Sequence, residues 1–89
     1  MIERDIEIKN QLGLHARAAA KLVKTAGAFR SKVQLLKDGD EVDAKSILGL
    51  MGLAACQGTT VTVRCQGDDE TAAMAAVTGL IDDRFDEER

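Results

Sequence analysis

Two periodicities alternate along this chain, and their order limits the folds open to it. Runs of period two read as half-buried strands, runs of period 3.6 as amphipathic helices. "IERDIEIK" sets Ile2, Ile6 and Ile8 on one face and Glu3, Asp5 and Glu7 on the other, a strand. "NQLGL" breaks that pattern as a loop, and strong helix formers follow from Ala16 to Ala26, with Gly27 as the expected stop. In that helix Ala16, Ala19, Ala20, Val23 and Ala26 share the side expected to pack, while Arg17, Lys21 and Lys24 form a cationic stripe. Val33 and Leu35 alternate in a second strand, Asp38-Gly39 signals a hairpin, and "EVD" is the short return. Ser46 stands at the N-cap of a helix that Gly49 and Gly52 should keep short, with Ile47, Leu50 and Leu53 expected to face the core. "GTTVTVRCQG" turns Val61, Val63 and Cys65 inward and Thr60, Thr62 and Arg64 outward. Asp68 or Asp69 is expected to cap a last helix with the stripe Ala73, Ala76, Val77, Leu80 and Ile81. The order β-α-β-β-α-β-α has one hairpin, no linker and no internal repeat. It predicts a single domain over residues 1–89, a two-layer sandwich with helices on one face of an antiparallel or mixed sheet.

A chain of 89 residues buries only about two-thirds of its extended surface, so it has no room for a deep enclosed active site. It has no Trp or Tyr to stack on bases, and its net charge of -3 has the wrong sign for a nucleic-acid binder. The first residues, "MIERDIEIK", carry charge where a signal peptide needs an apolar stretch, and no apolar run reaches membrane-spanning length. Cys56 and Cys65 lack zinc or CxxC spacing, which predicts reduced structural thiols in a cytoplasmic protein. The charge is unevenly spread. Lys9, Arg17, Lys21, Lys24, Arg30, Lys32 and Lys37 fall in a stretch without any acid, a local positive field suited to a phosphate or an acidic partner. Asp68 to Arg89 holds eight acids against two arginines and reads as a solvated face.

His15, the one histidine, sits at the start of the first helix beside Arg17. As a metal ligand it lacks company, for no second His, Cys or carboxylate lies near it in sequence. As the base of a Ser or Cys nucleophile it would need a site this small interior does not offer. A structural histidine is the bland alternative. The remaining reading is a nucleophile that itself carries a phosphoryl group. At a helix N-terminus the first amides lack partners and the macrodipole is positive, so the N–H groups of Ala16 and Arg17 can hold phosphate. The Arg17 guanidinium can add a charge-assisted hydrogen bond. Phosphoryl transfer asks for little beyond in-line positioning and charge neutralisation, which suits a shallow site serving other proteins. No cofactor or metal is expected.

"LGLHARAAAKLVKTA" followed by "DAKSILGLMGLAA", the "GTTVTV" strand and a terminal helix resembles the HPr family, the histidine-containing phosphocarriers of the phosphoenolpyruvate phosphotransferase system. The resemblance covers nearly the whole chain. It implies an α+β fold, an open-faced two-layer sandwich of four antiparallel strands covered on one face by three helices. It further implies that His15 accepts phosphate on Nδ1 from enzyme I and passes it to enzyme IIA-type proteins, with Arg17 steadying it. Ala16, Ala20, Lys24, Ile47, Leu48 and Met51 match the family's partner-binding surface, and Ser46 matches the serine phosphorylated by an HPr kinase/phosphorylase in many members. Ser at an N-cap also explains itself, contributing roughly 1 kcal/mol as a cap. A monomer is the default for such a carrier. A carrier for a regulatory or nitrogen-related branch, rather than sugar import, fits the same residues. A small α/β binding module with an incidental histidine is the alternative from another class. The chain departs from the family at Ala18, where most members have proline after the arginine. That loosens the entry to the helix without removing a group that handles phosphate.

Overall fold

The computed structural model describes residues 1–87; Glu88 and Arg89, the end of the acidic tail, lie outside the described residues. The elements are β1 (Ile2–Glu7), α1 (Ala16–Gly27), β2 (Lys32–Lys37), β3 (Asp40–Asp43), α2 (Ile47–Gly52), β4 (Thr60–Gln66), α3 (Glu70–Asp82) and a 3₁₀ turn (Arg84–Asp86). The four strands form one sheet in the order β1-β4-β2-β3, and every neighbouring pair is antiparallel. The choice between antiparallel and mixed is thereby settled, and the open-faced sandwich stands.

Strand periodicity translates directly into the two faces. Ile6, Ile8, Val33, Leu35, Val61, Val63 and Cys65 are buried beneath the helices. On the open face Arg64 reaches Glu3 at 2.6 Å and Glu41 at 3.3 Å, and the Thr62 hydroxyl donates to Asp5 at 2.7 Å. Such cross-strand pairs contribute roughly 0.2–1 kcal/mol each and keep an uncovered sheet face polar. The β2–β3 hairpin turns on Asp38 (φ 51°) and Gly39 (φ 87°), two consecutive left-handed residues that match the strand twist.

The helices depart from the sequence reading in detail. The core stripe of α1 is Ala18, Ala19, Leu22 and Ala26; Ala16 and Ala20 face solvent. Gly27 ends inside the last turn and Ala28 takes the C-cap position, so glycine is not the stop. In α3 the buried face is Ala73, Met74, Val77, Thr78 and Ile81, while Ala76 and Leu80 are only half-buried. Thr78 is accommodated there because its hydroxyl donates to the Met74 carbonyl at 2.7 Å. Ile47, expected in the core, is 42% exposed; α2 is so short that Leu50 alone of its residues is buried. Cys65 is buried, and burial first, then the charges of Glu70 and Asp69, push its thiol up from the ordinary value. Cys56 is exposed, its thiol donating only to the Ala54 carbonyl at 3.7 Å, so of the two free thiols Cys65 alone is buried in the core. No helix among the described residues is long and apolar enough to cross a membrane.

Asp69 occupies the N-cap position of α3 but does not cap it. Its carboxylate instead accepts hydrogen bonds from the Arg30 and Ser31 amides, 2.9 Å each, and from the Ser31 hydroxyl. It thereby ties the α1–β2 connection to α3. The Ser31 hydroxyl bond, then the Arg30 amide, hold the Asp69 carboxyl down at about 2, against 3.8 for a free side chain. A group lowered on folding adds stability that is present above its unfolded value and is lost as pH falls through the folded one. Chemical denaturation of the wild type should therefore show stability declining between about pH 4 and pH 2, and Asp69→Asn should flatten that part of the profile.

Candidate functional site

The loop from Lys9 to Leu14 exists to aim one side chain. Gly13 adopts φ +66°, and a Cβ there would lie 2.6 Å from the Ala55 carbonyl oxygen, so only glycine fits. The same carbonyl accepts the Leu14 amide at 2.9 Å, which pins the loop to the segment after α2. Asn10 is fully buried and donates to the Gly13 carbonyl at 2.7 Å. His15 then takes the N-cap position of α1 with extended backbone (φ -78°, ψ 179°). Its carbonyl accepts the Ala19 amide at 2.8 Å, the first bond of the helix. The amides of Ala16, Arg17 and Ala18 lie ahead of that bond and have no acceptor within the helix.

The His15 side chain makes no capping bond to its own helix and is 25% exposed. Its Nε2 lies 2.7 Å from Oε2 of Glu87, and Oε1 of the same carboxylate accepts from Asn10 Nδ2 at 2.8 Å. Partial burial pushes the Glu87 carboxyl up. The hydrogen bonds from Asn10 and His15, with the charges of His15 and Lys21, outweigh that and hold it below the usual range. The tail is therefore not simply a solvated face. Phe85 is fully buried, Lys21 Nζ donates to the Phe85 carbonyl at 2.6 Å, and Lys9 pairs with Asp82 at 2.7 Å. Arg84, Phe85 and Asp86 all have positive φ (57°, 56° and 62°), a left-handed turn that swings the chain back over the start of α1.

The acid-free stretch is less uniform than its sequence implies. Lys9 and Lys21 hold the tail, and Lys37 donates to the Leu53 and Ala54 carbonyls at 3.3 and 3.2 Å, at the C-terminal end of α2. Arg17, Lys24 and Arg30 are exposed, and among the described residues their side chains make no ion pair. Arg17 follows His15 by two positions, in the first turn of α1. Ala16, Ala20 and Lys24 are exposed on α1; Ile47, Leu48 and Met51 are exposed on α2, at 42%, 84% and 45%. The two helices pack against each other. Leu12, 69% exposed in the loop before His15, adds an apolar residue that the sequence reading passed over; its isolation in a polar loop was the available signal. Ser46 is half-buried, and its Oγ accepts the Gly49 amide at 3.1 Å as the N-cap of α2. Asn10 and Glu87 are the other two site residues that sequence reasoning missed.

Residues 2–83 match the family model described as the PTS HPr component phosphorylation site. The chain is 54% identical over 87 residues to the phosphocarrier protein HPr of Cupriavidus necator, covering 98% of each. Among solved structures it resembles HPr-C-His from Thermoanaerobacter tengcongensis, with a TM-score of 0.96, 48% identity and full coverage of both chains. An HPr dimer from the same organism aligns at a TM-score of 0.79 and 48% identity, over 98% of this chain and all of that one. With a histidine partly exposed at a helix start, an antiparallel open-faced sandwich and full-length similarity to these proteins, the chain belongs to the HPr family of phosphotransferase-system phosphocarriers.

Proposed function

We propose that residues 1–89 form one carrier domain in which His15 Nδ1 accepts a phosphoryl group from phosphorylated enzyme I. It then hands the group to a histidine of an enzyme IIA-type protein, in the cytoplasm. The observation that carries this reading is the state of the His15 ring. It is partly open to solvent at the N-terminus of a 12-residue helix, with one nitrogen engaged and the other left out of the helix cap. A phosphoryl group on Nδ1 meets the free amides of the first turn and the positive end of the helix dipole. The Arg17 guanidinium, free of ion pairs among the described residues, is available to neutralise it. Incubation with phosphoenolpyruvate, Mg²⁺ and enzyme I should place one acid-labile, base-stable phosphate on the protein. Failure to label under conditions that label a known HPr would refute the proposal.

Partner docking uses Ala16, Ala20 and Lys24 of α1 with Ile47, Leu48 and Met51 of α2. Exposed apolar residues rimmed by cations suit a transient interface with an acidic surface. The carrier acts as a monomer, because one face must serve donor and acceptor in turn; gel filtration at working concentration checks this against the dimeric relative. Ser46, next to Ile47 and Leu48, is the regulatory position, where an HPr kinase/phosphorylase would add negative charge to the docking face. Ser46→Asp should accordingly slow phosphorylation of His15 by enzyme I, and unchanged kinetics would remove the regulatory role.

Ala18 is the third residue of α1, buried, with an amide that lies ahead of the first helical bond. Proline is compatible with that position. Ala18→Pro should raise stability by about 0.4–1 kcal/mol in urea denaturation by restricting the unfolded chain, with transfer retained.

A further inference from the structure

We infer that Glu87 is a positioning residue that holds His15 in the tautomer with Nε2 protonated and Nδ1 free to attack phosphorus. The inference rests on the phosphocarrier reading and adds to it a group from the far end of the chain. An ionised carboxylate only accepts hydrogen bonds. Oε1 of Glu87 is engaged by Asn10 at 2.8 Å, and Oε2 lies 2.7 Å from His15 Nε2, so Nε2 must be the donor. In a neutral imidazole the proton then resides on Nε2, and the lone pair belongs to Nδ1. Three anchors make the carboxylate a fixed feature rather than a passing contact. Asn10 is fully buried and already committed to the Gly13 carbonyl at 2.7 Å; Phe85, two residues before Glu87, is fully buried; Lys21 holds the Phe85 carbonyl at 2.6 Å.

The consequence for the reaction follows from charge. As the Nδ1 lone pair forms its bond to phosphorus, the donor's P–N bond breaks and its electron pair returns to the donor imidazole nitrogen. The Nε2 proton stays on the His15 ring throughout. The ring gains positive charge, and a carboxylate 2.7 Å from Nε2 offsets it. When the phosphoryl group leaves for the next protein, the same contact restores the same tautomer, so the carrier is ready for another cycle. A carboxylate orienting an imidazole through its remote nitrogen is a recurrent device in nucleophilic catalysis.

The test combines a spectroscopic readout with a rate. Long-range ¹H–¹⁵N NMR of His15, recorded where the ring is neutral, should show the Nε2–H tautomer dominating in the wild type. Glu87→Ala should shift the ring toward a mixture of tautomers and slow single-turnover transfer from phosphorylated enzyme I roughly tenfold, the scale of one charge-assisted hydrogen bond. Glu87→Gln, which can still accept from Nε2 through its amide oxygen, should retain the tautomer and show an intermediate rate. Asp83→Asn, which removes a neighbouring tail charge, should change neither. A tautomer ratio that Glu87→Ala leaves unmoved, or a rate within twofold of wild type, overturns the inference; so does a faster rate, which would make Glu87 a blocking group. A wild type that takes no phosphate on His15 would instead defeat the carrier reading itself.

Discussion

His15→Ala should abolish acid-labile phosphorylation by enzyme I and phosphoenolpyruvate, leaving no label above background, while the protein stays folded. The loss is complete because the chain has no second imidazole to take its place as the acceptor. Folding should survive because the ring is not part of the core: it is 25% exposed and makes no bond to its own helix. Alanine at the N-cap position forfeits no side-chain cap, since His15 supplies none. Arg17→Ala should leave the site intact and slow transfer by roughly ten- to a hundredfold, the scale of one charge-assisted hydrogen bond to phosphate. Circular dichroism matching wild type beside zero label would separate chemistry from misfolding. Stoichiometric label on His15→Ala would place the acceptor elsewhere.

The second large effect is on stability. Phe85→Ala should cost about 3–5 kcal/mol in urea denaturation, the range for emptying a fully buried aromatic site. Phe85 is among the largest fully buried side chains, in a turn that packs against α1 and α3. A small domain has only about 5–15 kcal/mol in total, so this single change removes a large share. The melting temperature should fall by roughly 12–40 °C, at about 4–8 °C per kcal/mol for a domain of this size. Phe85→Leu, which keeps most of the volume, should cost far less. The backbone sharpens the effect: Arg84, Phe85 and Asp86 all hold left-handed conformations, which disfavour residues with a Cβ. Burial of the Phe85 ring and the Lys21 bond to its carbonyl must outweigh that cost. Removing the ring should release the turn, and Glu87 with it. A loss below about 1 kcal/mol would mean that the tail is not anchored this way.

These residues also mark the limit of what could be read from sequence. Ile6, Val33, Val61 and Val63 announced themselves because strand alternation is local, and the Asp38-Gly39 turn because two left-handed residues have few alternatives. His15 and Ser46 were legible as helix starts, where side-chain type and position coincide. The helix faces were only partly legible. Small alanines around much of α1 give a weak periodic signal, and Leu22 rather than Ala16 or Ala20 proved to set the buried side. Asp69 looked like a helix cap, but it bonds amides 38 and 39 positions away. Glu87 and Asn10 meet across 77 positions, and Phe85 is a lone apolar residue among charges. Nothing local distinguishes such residues from solvated neighbours; a large aromatic side chain inside "DDRFDEER" was the only hint.

The claim on which the account turns is the identity of the nitrogen that carries phosphate. ³¹P and long-range ¹H–¹⁵N NMR on the phosphorylated, ¹⁵N-labelled protein reads it directly. The account predicts a single phosphoryl group on Nδ1 of His15, with Nε2 still protonated beside Glu87. Phosphate on Nε2, or on any residue other than His15, would contradict it.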